Sequence, residues 1–174
     1  MPASIALGCC EAKDVPTRAM MAAMSTRPSP SLRVAYRWHV PITTRWMDND
    51  VYGHVNNVVY YAFFDTVINR YLIDVGGLDI HRGDAIGLCV ASGCSYHAPV
   101  AYPDALEGHL RVVHLGTSSV RYEVGIFRAG DERSVADGHF THVFVGRTDR
   151  KPMPIPTSMR EALSRIAVAT GAGA

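Results

Sequence analysis

Residues 44–61 read Thr44-Arg-Trp-Met-Asp-Asn-Asp-Val-Tyr-Gly-His-Val-Asn-Asn-Val-Val-Tyr-Tyr61. Acids, amides, a histidine and a glycine crowd into the span from Asp48 to Asn57, and the most apolar run of the chain, Val58 to Phe64, follows at once. A polar loop that opens onto an apolar helix sets its side chains beside backbone N–H groups with no partner inside the helix. Such an end favours negative charge, so the stretch reads as a site as well as a structural element. Asn56 suits the N-cap and Gly76-Gly77 the stop, which predicts a helix over about 57–75. Apolar residues nearly encircle its first three turns, leaving Asp65, Asn69 and Arg70 as a narrow wet edge. That pattern predicts a helix buried on almost every side.

On the N-terminal side of this stretch, residues 34–46 are rich in β-branched and aromatic types and read as a strand. Pro41 removes a ladder hydrogen bond, so the strand belongs at an edge or carries a bulge. On the C-terminal side, residues 86–98 read as a strand broken near Gly93, and 105–115, 120–126 and 134–146 alternate as three more, joined by Gly116-Thr-Ser and Ala129-Gly-Asp-Glu turns. Ser158-Met-Arg-Glu161 fits a capping box that opens a short terminal helix. The order is strand, long helix, four strands. It predicts an α+β domain whose antiparallel sheet wraps one helix, with the other face of that helix or sheet available for a second copy. Residues 1–31 read as a flexible or over-called leader, 32–150 as the folded domain, and 151–174 as a proline-rich segment with the short helix.

The 174 residues suffice for a hydrophobic core, and 48% apolar with 19% charged residues is ordinary globular composition. A net charge of +1 with interspersed signs argues against nucleic acid as partner. The absence of an apolar run of about 18 residues argues against a membrane span. Cys9, Cys10, Cys89 and Cys94 show no zinc spacing and no disulfide framework, and are expected as thiols in a cytoplasmic protein. Five positions apart on one strand, Cys89 and Cys94 are expected on opposite faces; so are His139 and His142, and no metal site is expected.

Arg45-Trp-Met-Asp48 and Asp50-Val-Tyr-Gly-His-Val-Asn-Asn57, followed by Tyr60, closely resemble the hotdog-fold acyl-CoA thioesterases of the 4-hydroxybenzoyl-CoA thioesterase superfamily. The stretch also resembles the acyl-ACP thioesterases of plants and bacteria. The resemblance spans roughly residues 33–150. It implies a hotdog fold, a thioester substrate on coenzyme A or a carrier protein, no metal or separate cofactor, and a homodimer or homotetramer with its site at a subunit interface. Asp50 matches the family's acidic residue, which serves as general base or nucleophile. Asn57 matches the helix position whose backbone N–H polarises the carbonyl. His54 matches the histidine that the acyl-ACP branch uses beside its aspartate. Two departures stand out. Tyr52 replaces the asparagine of the acyl-ACP branch, and Asn57 stands where some acyl-CoA members carry a histidine or tyrosine.

The residues themselves carry the same chemistry. Thioester hydrolysis needs a carboxylate or an activated water aimed at the carbonyl, and donors for the oxyanion. Asp50 supplies the first, His54 is a candidate assistant, and the helix start at Asn57 supplies the donors. Tyr52, Gly53, Asn56, Tyr60 and Phe64 are the candidate substrate-binding residues, although Asn56 would equally serve as a cap and Tyr60 and Phe64 as plain core. Asp48 reads as a turn-capping acid. Arg82 and Arg128 are candidate phosphate contacts. Two rivals fit less well: a hotdog enoyl-thioester hydratase, whose aspartate and histidine sit in a proline-containing motif missing here, and a non-catalytic acyl-CoA-binding module.

Overall fold

The computed structural model describes residues 28–168. The leader up to residue 27, with Cys9 and Cys10, lies outside the described residues. Five antiparallel strands form one sheet: β1 (Trp38–Thr43), β2 (Ala85–Tyr96), β3 (Ala105–Leu115), β4 (Ser119–Arg128) and β5 (Ala136–Gly146), in the order β1-β3-β4-β5-β2. Helix α1 (Asn57–Asp74) packs on β1, β3, β4 and β5 and hardly touches β2. The short helix α2 (Thr157–Arg165) closes the far end, where the Tyr71 hydroxyl donates to the Ala162 carbonyl at 2.5 Å.

The expected helix boundaries hold, for local reasons. The Asn56 carboxamide accepts the Val58 N–H at 3.1 Å. At the other end Gly77 takes a positive φ of 69°, and the Leu78 N–H returns to the Leu72 carbonyl at 2.8 Å. A left-handed residue there costs least as glycine. Tyr60, Phe63, Phe64, Val67, Ile68, Tyr71 and Leu72 are buried against the sheet. Burial on almost every side is not found, however. Val58 is 66% exposed, and Tyr61, Ile73 and Val75 also face outward, because one sheet covers one face of a helix.

Other expectations shift as well. The first strand is shorter than 34–46, because 3-10 turns at Arg33–Ala35 and Trp46–Asp48 flank it. Pro41 does lie on an edge strand. Ser31, placed in the flexible leader, has its N–H bonded to Ser134 Oγ (2.9 Å) and Asp137 Oδ2 (3.1 Å), so the ordered chain begins before residue 32. The irregularity in β2 falls at Val90, between Cys89 and Ala91, and not at Gly93. One extra residue reverses the alternation beyond it. Cys89 opposite His142 and Cys94 opposite Gly138 therefore share a face, against expectation. In α2 the N-cap is Pro156, without a side-chain cap; Ser158 lies inside the helix and forms no capping box.

Candidate active site

The loop before α1 is built by its own backbone. Asp50 N–H donates to the His54 carbonyl (2.8 Å), Gly53 N–H returns to the Asp50 carbonyl (3.1 Å), and Gly53 takes a φ of 82°. The glycine is required by that turn. The Val55 N–H donates to the Val100 carbonyl at 2.8 Å, which pins the loop to the segment leaving β2. Asp48 anchors its other side. It is 1% exposed, and both of its carboxylate oxygens are used, Oδ1 by the Arg45 guanidinium (2.7 and 3.0 Å) and Oδ2 by the Arg45 N–H (2.7 Å). This carboxylate holds the Arg45 pKa above its ordinary value, first through the hydrogen bond and then through charge. The reading of Asp48 as a structural acid fits this geometry.

Asp50 is left half-buried, with Oδ1 accepting only the Tyr52 N–H at 2.8 Å. It borders a cavity of about 350 Å³ together with His54, Val55, Asn57, Tyr60, Tyr96, His97, Ala98 and Pro99. Asn57 begins α1, and its N–H has no acceptor among the described residues. Its carbonyl accepts the Tyr96 hydroxyl at 2.9 Å, so β2 holds the helix start in place. Tyr60 and Tyr96 meet edge to face, centroids 5.2 Å apart. Burial pushes the Tyr60 phenol up to about 12, so it stays neutral.

Of the candidate residues, the fold brings Asp50, His54, Asn57 and Tyr60 to one cavity. It does not bring the others there. Tyr52 is 83% exposed and does not line the cavity, Gly53 serves the turn, and Asn56 caps the helix. Phe64 is fully buried over Gly138. Arg82 belongs to the loop beyond the other end of α1, where its N–H bonds Asp79. Arg128 lies close by, bound to the Pro99 carbonyl and to Asp104. Sequence reasoning missed Tyr96 and the His97–Pro99 segment, which come from the end of β2. The His97 imidazole itself pairs with Asp137 Oδ2 (2.9 Å) on the sheet's other face. Among the described residues no three of His, Cys, Asp or Glu are grouped as metal ligands, and no helix is long and apolar enough to cross a membrane.

A carboxylate and a free helix N-terminus border one cavity of a hotdog fold. Residues 44–163 match the thioesterase-like superfamily model, and the chain belongs to that family as a thioesterase. The PA5185 protein of Pseudomonas aeruginosa is 53% identical, with a TM-score of 0.79 over 82% of this chain and 100% of its own. A 1,4-dihydroxy-2-naphthoyl-CoA thioesterase from Synechocystis is 18% identical, with a TM-score of 0.66 over 73% of this chain and 95% of its own, a likeness of fold alone. No curated protein matches the chain.

Proposed function

We propose that the protein hydrolyses acyl-CoA to a free carboxylic acid and coenzyme A, with Asp50 and the start of α1 as its working parts. The observation that carries this is the opening of the Asp50 carboxylate and the unpaired Asn57 N–H onto one cavity of about 350 Å³. With the thioester carbonyl oxygen at Asn57, Asp50 takes a proton from a water that attacks the carbonyl carbon. The tetrahedral oxyanion rests on the helix N-terminus. Collapse breaks the carbon–sulfur bond, and the thiolate leaves with the proton that Asp50 held. His54, exposed at the cavity rim, is placed to bond substrate or water.

The working unit in this reading is a homodimer. Strand β2 is a twelve-residue edge with Leu88 and Val90 exposed, beside an uncovered face of α1. Long bare edges of this kind pair readily with another strand. The reading also places the protein in the cytoplasm, with Cys89 and Cys94 as free thiols.

Two substitutions test the chemistry together by thiol release from acyl-CoA. Asp50→Ala removes the base and lowers kcat by roughly 10²–10⁴-fold while the melting temperature stays near wild type. Asp48→Asn instead lowers the melting temperature, since it weakens the Arg45 anchor. Full turnover by the Asp50→Ala protein would end the assignment.

A further inference from the structure

Residues 97–104 join β2 to β3 without regular structure. The sheet order makes this connection a crossover, since it passes the ends of β5 and β4 before it reaches β3. A segment outside the ladder takes its position from turns and side chains, not from strand pairing. Arg128, the last residue of β4, supplies the grip. Its Nη2 donates to the Pro99 carbonyl and its Nε to Asp104 Oδ2 at 3.3 Å, while its Nη1 stands 3.8 Å from Asp131 Oδ2. The same Asp104 oxygen accepts the Ala101 N–H at 3.1 Å. One guanidinium thus holds both ends of the stretch from Pro99 to Asp104.

That stretch lies along the loop that carries Asp50. The Val100 carbonyl accepts the Val55 N–H (2.8 Å), Asn49 Oδ1 accepts the Tyr102 N–H (3.0 Å), and the Asp104 carbonyl accepts the Thr44 hydroxyl (2.9 Å). Trp46 and Tyr102 meet edge to face, centroids 5.9 Å apart. Two of these ties flank Asp50, one at its neighbour Asn49 and the other at Val55. The loop's internal bonds, among them Asn56 N–H to the Asp48 carbonyl (2.8 Å), set its shape. The crossover sets where that shape sits. Asn57 is held separately, through α1 and through its carbonyl to Tyr96.

We propose that Arg128 is a positioning residue for hydrolysis: by clamping the crossover at Pro99 and Asp104, it fixes where Asp50 stands relative to the Asn57 N–H. The inference rests on the Asp50 reading above. Arg128 itself does not line the cavity, whereas Pro99 does. An arginine suits the task because its planar fork reaches a carbonyl and a carboxylate at once, which neither glutamine nor the ammonium of lysine reproduces. Its side chain is 38% exposed and lies outside the apolar core, so replacing it leaves the core packing intact. Release of the crossover displaces Asp50, and a misplacement of about 1 Å can cost up to about 10²-fold in rate.

The test reads thiol release from whichever of acetyl-, decanoyl- and benzoyl-CoA wild type turns over fastest, well below every variant's melting midpoint. Arg128→Gln should lower kcat at least about tenfold and leave KM within about twofold, a split that lost stability alone does not produce. Arg128→Lys should fall between it and wild type, and carries the same test should the glutamine variant not fold. Asn49→Ala cuts the Tyr102 tie, and combined with Arg128→Gln it should cost less than the product of the two single losses. In an Asp50→Ala background Arg128→Gln should change the residual rate by less than about twofold. Wild-type kcat in the folded Arg128 variants, or a full loss that persists without Asp50, overturns this inference while an inactive Asp50→Ala protein leaves the Asp50 reading standing. Full turnover by Asp50→Ala, or a wild type inert on all three thioesters, ends the reading above and this inference with it.

Discussion

Gly138→Ala puts one methyl group between the sheet and α1 where the two pack closely. A Cβ there would lie 2.7, 2.7 and 2.8 Å from three carbons of the Phe64 ring. Carbon atoms pack at about 3.5–4.0 Å, so the ring must retreat by roughly 0.8 Å or more. It has little room to turn. Phe64 is fully buried, wedged between Tyr61 and Phe140 at centroid distances of 6.1 and 6.0 Å. The displacement therefore passes to α1. Overpacking of this kind costs about 1–3 kcal/mol, and a domain of this size loses about 2–4 °C of melting temperature per kcal/mol. Phe64 lies two turns from Asn57, so the N–H at the helix start moves relative to Asp50, and a misplacement of about 1 Å can cost up to 10²-fold in rate. Thermal melts and thiol release are read on the same preparations. Adding Phe64→Leu frees the space, so the double variant should recover stability relative to the sum of the singles by at least about 0.5 kcal/mol. Unchanged stability in Gly138→Ala, or deficits that simply add in the double variant, would refute the reasoning.

Two further outcomes follow from charge and from the bare edge. His109 and His142 are both held below the ordinary 6.5 by burial, His109 despite its bond to Glu107. The unfolded chain then binds protons that the folded one declines, so their stabilisation is full above 6.5 and is lost as pH falls from 6.5 through the folded values. Glu107, bonded by His109 and Arg33, sits below its ordinary 4.5, so its contribution is present above 4.5 and lost as pH falls through its folded value. Urea midpoints should decline in two stages, with Glu107→Gln reducing the second; a flat profile from pH 7 to 4 contradicts this. Val90→Lys puts a charge on the exposed bulge of β2 and should convert the proposed dimer to monomer by light scattering, whereas an unchanged mass would contradict pairing through this edge.

The sequence by itself determined the parts whose causes are local. The Asn56 cap, the Gly76-Gly77 stop, the glycine turn after Asp50 and the alternation of β3, β4 and β5 each depend on residues within a few positions of one another. Their expected positions and the observed ones agree closely. That Asp50 and Asn57 would lie together was legible for the same reason, since seven positions span the whole loop-to-helix junction. Tertiary structure decided what depends on pairing between distant segments. The bulge at Val90 exists only against β5, and by shifting the alternation it places Cys89 and Cys94 on one face. Tyr96 and Pro99 reach the Asp50 cavity because Val55 bonds Val100 and Tyr96 bonds Asn57. The apolar pattern around α1 marked which residues avoid water, but one sheet shields one side. Val58 and Tyr61 therefore remain exposed. Periodicity records a residue's preference for burial, whereas the partner that buries it is chosen by long-range packing.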